Sequence, residues 1–178
     1  MAYSVPATHT LNKPIFQGLQ VSSATRMHPL GFTVSGEDGS EFTYCIMESS
    51  DVLTYSGLPA VFVDSSDQWV VTPDASDGTG GKSAGAAGVG VGVFTMNNID
   101  VNSCYLWVQT AGPVDTAMVS AVVVANDELI VTDENHFDDL TPFHNSATST
   151  NWRIVAKALT AAAAGVTSLH STANIILY

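Results

Sequence analysis

What most constrains this chain is a tight-turn signal set between two β-patterned runs. Leu30-Gly-Phe-Thr-Val leads through Ser35-Gly-Glu-Asp-Gly-Ser into Glu41-Phe-Thr-Tyr-Cys-Ile-Met. The Asp38-Gly39 step reads as a hairpin turn, because Asp and Gly accept the positive φ that a short reversal needs. Further strands are expected at residues 58–63, 68–72, 89–96, 104–110, 117–124, 128–132, 151–159 and 174–178. Turn chemistry separates most of them: Asp64-Ser-Ser-Asp, residues 73–88, Asn97-Asn98, Gly112-Pro113 and Asn126-Asp127. Short strands at this spacing imply an all-β barrel or sandwich. A helix is credible only at residues 159–164, where alanines cluster, and Gly165 stops it before two turns are complete.

A chain of 178 residues suits a single core. Residues 1–29 differ from the rest: Pro6, Pro14 and Pro29 interrupt them, and the apolar groups, Ile15-Phe16 and residues 19–21, are short. They read as an extended arm suited to lying across a neighbour, although a ragged terminus would have the same composition. Residues 30–178 form the barrel or sandwich domain, with a loop at 73–88 whose glycines and serines disfavour a packed core. The loop exits into Val89-Gly-Val-Gly-Val-Phe, where close approach of another backbone is expected on the glycine side.

The charge balance limits the partners. Seventeen acidic against five basic residues give a formal charge of −12. Such a molecule repels nucleic-acid phosphates and anionic membrane surfaces, and Lys13, Arg26, Lys82, Arg153 and Lys157 are too scattered to form a basic stripe. A protein partner should therefore offer a neutral or basic face. The first ten residues lack the basic and apolar regions of a secretory leader, and no apolar run approaches the roughly 20 residues of a membrane span, so synthesis in a cytoplasm is expected. Cys45 and Cys104 both fall in β-patterned runs and are read as reduced, buried hydrophobes rather than a disulfide or ligand pair.

Three motifs imitate chemistry. Gly81-Lys82-Ser83-Ala84-Gly85 matches a nucleophile elbow, but glycine-laced sequence follows where a helix should. The same Gly81-Lys82-Ser83 resembles the end of a phosphate-binding loop, with Ser76 in place of its first glycine and again no helix. Asp133, Glu134, His136, Asp138 and Asp139, with His144 beyond, are the densest set of metal-ligand types, yet they lack any recognised ligand spacing and read as a solvated acidic turn. No catalytic residue, metal or cofactor is assigned. Trp69, Trp107 and Trp152 sit among apolar neighbours, which favours core or subunit-interface packing over a carbohydrate platform.

Two stretches are similar to the capsid decoration, or cement, proteins of tailed bacteriophages. One is His28-Pro-Leu-Gly31 with Asp38-Gly39 and Phe42-Thr-Tyr44. The other runs from Gly90-Val-Gly-Val-Phe through Tyr105-Leu-Trp-Val-Gln109 with Gly112, residues 125–129 and residues 155–159 to a final short strand. Asn126, where the family has Gly, and the enlarged 73–88 loop depart from the pattern. The resemblance implies a β-barrel or sandwich subunit, often a homotrimer, bound to the major capsid protein on the outside of the virion, without catalysis or cofactor. Ile15, Phe16, Leu19, Trp69, Trp107 and Trp152 are then the expected anchors for capsid or subunit contact. A receptor-binding spike or fibre tip would show fibrous repeats, and a major capsid protein a long spine helix. A small serine hydrolase needs a strand-turn-helix around Ser83.

Overall fold

The computed structural model describes residues 3–5, 22–47, 53, 55–62, 69–73, 91–96, 104–131, 136–140, 154–163 and 171–178. The described chain is all β, with no helix among these residues. In order, the strands are β1 (Tyr3–Val5), β2 (Thr33–Gly36), β3 (Glu41–Met47), β4 (Pro59–Phe62), β5 (Val70–Thr72) and β6 (Val91–Phe94). They continue with β7 (Tyr105–Val119), β8 (Glu128–Val131), β9 (Phe137–Asp139), β10 (Ala156–Ala158) and β11 (Ser171–Leu177).

The pairing closes on itself twice, and both closures use β7. In the first circuit β3 pairs β5, β5 pairs β4, β4 pairs β6, β6 pairs β7, and β7 returns to β3. In the second, β7 pairs β11, β11 pairs β10, β10 pairs β8, β8 pairs β9, and β9 touches β7 again at Phe137 opposite Val119. Such barrel-like closure satisfies strand edges that would otherwise template pairing with other chains.

Each circuit encloses its own core. Cys45, Met47, Ala60, Val71, Phe94, Leu106 and Val108, one or two from each strand, fill the first. Val114, Ala117, Val119, Leu129, Val131, Phe137, Ala156, Ala158, Ala173, Ile175 and Leu177 fill the second, and Val61 and Val93 of the first circuit pack against them. The two-residue side-chain period of strands explains how β7 serves both: Met118 turns to the first core while Ala117 and Val119 turn to the second.

The sequence placed a turn at Gly112-Pro113 between two strands, whereas one 15-residue strand runs through it. Gly112 has φ +85° yet stays in register opposite Leu177, and the strand bulges just before it, where the slip between Glu41 and Phe42 leaves Thr110 as the extra residue. Pro113 still occupies a register position opposite Ile176. Residues 120–124, expected to prolong the strand, form a turn instead. Phe137–Asp139, read as part of an acidic turn, is strand β9. Residues 159–163 are not helical, and Ala163 bridges Thr172.

Other expectations hold in detail. β2 and β3 form the hairpin, with Val34 opposite Phe42 and Gly39 at φ +84°. On the glycine side of β6, a Cβ on Gly92 would collide with Val108 and with the Gln109 carbonyl of β7, the close approach anticipated there. Within the proposed arm, Tyr3–Val5 pairs in parallel with β2, and Ser23 exchanges both backbone hydrogen bonds with Tyr105 at 2.8 and 2.9 Å. Residues 22–29 therefore lie along the first circuit.

Candidate interaction surfaces

Trp107 sits on the outer face of β7, but it is not open to a partner. Residues 28–32 strap across it, held by the Gly31 amide donating to the Tyr44 carbonyl at 2.9 Å and the Tyr44 amide donating to the Phe32 carbonyl at 2.9 Å. His28 lies 5.4 Å from the Trp107 ring, 5.1 Å edge-on to Tyr44 and 5.8 Å stacked on Phe32. Tyr44 packs 5.1 Å from Trp107, and its hydroxyl accepts from the Met27 amide at 3.2 Å. Trp107 is consequently buried within its own chain, so its expected role as a capsid anchor is replaced by one as the hub of a third, aromatic cluster.

Trp69 is half-buried just before β5 and meets Phe62 edge-on at 6.4 Å. Its indole occupies the space beside Gly31 that a Cβ there would need, and Gly31 has φ +76°. Trp69 thus fixes the strap while remaining only half-buried. Ile15, Phe16, Leu19 and Trp152 lie outside the described residues, as do Ser83, Gly81 and most of the 73–88 loop.

Of the acidic and histidine set, Asp133, Glu134 and His144 also lie outside the described residues. His136 is buried, with Nε2 at 4.0 Å from the Asp138 carboxylate. The Ser120 hydroxyl donates to the other oxygen of Asp138 at 2.6 Å, and the Asp139 amide donates to that same oxygen at 2.9 Å. The serine is committed to the carboxylate rather than to the imidazole, the wrong order for activating a nucleophile. The serine bond instead ties the end of β7 to β9. Among the described residues, no group of three or more His, Cys, Asp or Glu side chains is arranged to hold a metal ion.

Both cysteines are buried and unbridged. Burial pushes the Cys45 thiol up to about 12 and also raises Cys104, so neither is poised as a nucleophile. Asp38 behaves oppositely: the hydroxyl and amide of Ser40 donate to it at 2.6 and 3.0 Å and hold its carboxyl below the ordinary range.

One surface was not singled out in the sequence. The turn after β7 and the segment after β10 lie side by side, joined by the Asn126 amide to the Ala158 carbonyl at 2.9 Å and the Ala162 amide to the Val123 carbonyl at 2.8 Å. Val123 turns inward to the second core, but Val122 is 64% exposed, Val124 55% and Leu159 49%. Ala121, Ala125, Ala161 and Ala163 are exposed around them. The Val122-Val123-Val124 run was absorbed into an expected strand; its lack of alternation, just ahead of Asn126-Asp127, was the available signal of an apolar turn. No protein-family model, curated protein or solved structure matches this chain.

Proposed function

We propose that this chain is a structural virion protein, a capsid decoration protein that attaches to the outer surface of a tailed-phage capsid as a homotrimer and braces neighbouring copies of the major capsid protein. The observation that supports this most is what the residues carrying the resemblance do. His28, Gly31, Phe42, Tyr44, Tyr105 and Trp107 make one strap-and-hairpin unit around a buried tryptophan. Their work is architectural, which suits a protein whose role is to present a rigid surface to a repeating lattice.

Two segments would reach the lattice: the arm, through Ile15, Phe16 and Leu19, and the 73–88 loop, with Trp152 and the accessible part of Trp69 adding contact area. Many weak contacts repeated over a lattice give avidity without any single strong site. The acidic charge requires that the receiving surface be neutral or basic.

The test is cosedimentation with purified undecorated capsids. Saturable pelleting, and at least about tenfold weaker pelleting after deletion of residues 1–21, is expected; tenfold corresponds to about 1.4 kcal/mol. Absence of pelleting at any concentration rejects the reading and moves the weight to a receptor-binding spike or fibre tip.

A further inference from the structure

We infer that the exposed apolar platform formed by Val122, Val124 and Leu159 is where copies of this chain meet, with the symmetry axis of the oligomer passing close to it. This deepens the multi-copy part of the proposed function and does not depend on capsid binding.

The platform is organised rather than loose. Besides the two bonds that join its halves, the Asp127 carboxylate accepts from the Val124 amide at 2.7 Å, the Ala158 amide donates to the Asp127 carbonyl at 2.9 Å, and the Leu159 amide donates to the Asn174 carbonyl at 2.7 Å. Backbone held this firmly keeps aliphatic side chains in water at a constant cost, which burial against a matching surface removes. Val122, Val124 and Leu159 are three of the five large hydrophobic side chains exposed among the described residues, and they fall on two adjacent segments.

Charge selects the occupant. Each copy carries −12, so two copies repel over most approaches within a Debye length of about 8 Å at physiological salt. Residues 121–126 and 159–163 contain no charged side chain. Asp127, which follows the turn in sequence, is spent on that turn, and Glu128 stands opposite Lys157 in the β8–β10 register. This uncharged face lets two like-charged copies come together without opposing carboxylates at contact. Residues lying on a symmetry axis meet their own copies, so there the platform packs apolar on apolar, and in a trimer only the contacts away from the axis need a second surface.

The experiment is the mass of the full chain in solution by sedimentation velocity. An oligomer at micromolar concentration is expected, and it should tighten as salt screens the repulsion. Val122→Asp and Leu159→Asp should each weaken association at least about tenfold, by placing repeated carboxylates at the axis. Thr25→Asp, which adds the same charge at an exposed position ahead of the strap, should leave the mass unchanged. Ala125→Cys should form an intermolecular disulfide on mild oxidation, against a clean background because Cys45 and Cys104 are buried. A monomeric wild type, an oligomer indifferent to both aspartates, or one that salt dissociates overturns the inference. An oligomer that ignores capsids rejects the capsid reading alone, and a monomer that saturates capsids rejects this inference and the homotrimer while leaving capsid attachment standing.

Discussion

Two glycines with nearly the same backbone show how context sets the cost of a side chain. Gly39 and Gly112 both have φ near +85°, at +84° and +85°. A Cβ on Gly39 meets nothing within 4 Å, whereas one on Gly112 would stand 2.5 Å from the Gly39 carbonyl oxygen and 2.6 Å from the Ser40 Cα. Gly39→Asn should therefore cost well under about 1 kcal/mol, since Asn tolerates the left-handed region. Gly112→Asn should cost at least about 2 kcal/mol, because strand and hairpin must part; thermal melts of the two variants check the contrast. Asp38, one residue before Gly39, titrates in the same hairpin. Its carboxyl is held low by Ser40, so its contribution is present at neutral pH and is lost as the pH falls through that lowered value. Asp38→Asn should flatten this part of the acid limb in urea titrations run between about pH 5 and pH 2. For the thiols, a colorimetric thiol reagent at neutral pH should find neither cysteine in the native protein and both after denaturation.

At the scale of elements, legibility followed how local the determinant was. The 33–47 hairpin was readable because Asp38-Gly39 and the flanking runs fix it within a few residues. β4, β5, β6 and β8 appeared near their expected places for the same reason, as short β-branched or aromatic runs bounded by turn residues. β7 was read as two strands because Gly-Pro is a turn signal when only neighbours in sequence are considered. The structure overrides it with partners on both sides of that step, β3 up to Ala111 and β11 from Gly112 onward, whose pairing outweighs the local preference. β9 was missed because Phe137 alone among Asp and His residues looks solvated, yet its ring is buried in the second core. The sequence leaves Trp107 open between core and subunit-interface packing, because it does not reveal that His28 and Phe32 fold back over the ring. Trp107→Ala should cost about 3–5 kcal/mol in urea denaturation. Phe32→Ala should cost less and should shift the tryptophan emission to the red as water reaches the indole.

For the molecule as a whole, the all-β class was legible and the doubled closure was not, since no local pattern announces that one strand will serve two circuits. The same holds for the surfaces: composition indicated a protein partner, but the adjacency of Val122 and Leu159 arises only when the turn after β7 bonds to the segment after β10. The shared strand also governs the order in which the protein can be made. The first circuit is complete in sequence once the first half of β7 exists, because its other members, β3 to β6, all precede it. Apart from the Met118 amide, which donates to the Gly57 carbonyl, and the Val119 contact with β9, the second half of β7 then waits for β11, more than fifty residues later, before its ladder is complete. Contacts so distant along the chain close slowly, and an unpaired strand edge exposed meanwhile is open to other chains. A nascent chain held at residue 150 should already protect β3 and β6 amides from hydrogen exchange while residues 112–117 exchange freely. On this route the latter half of β7 is exposed to mispairing until the end of synthesis, and the rate at which β11 arrives sets the yield of folded protein.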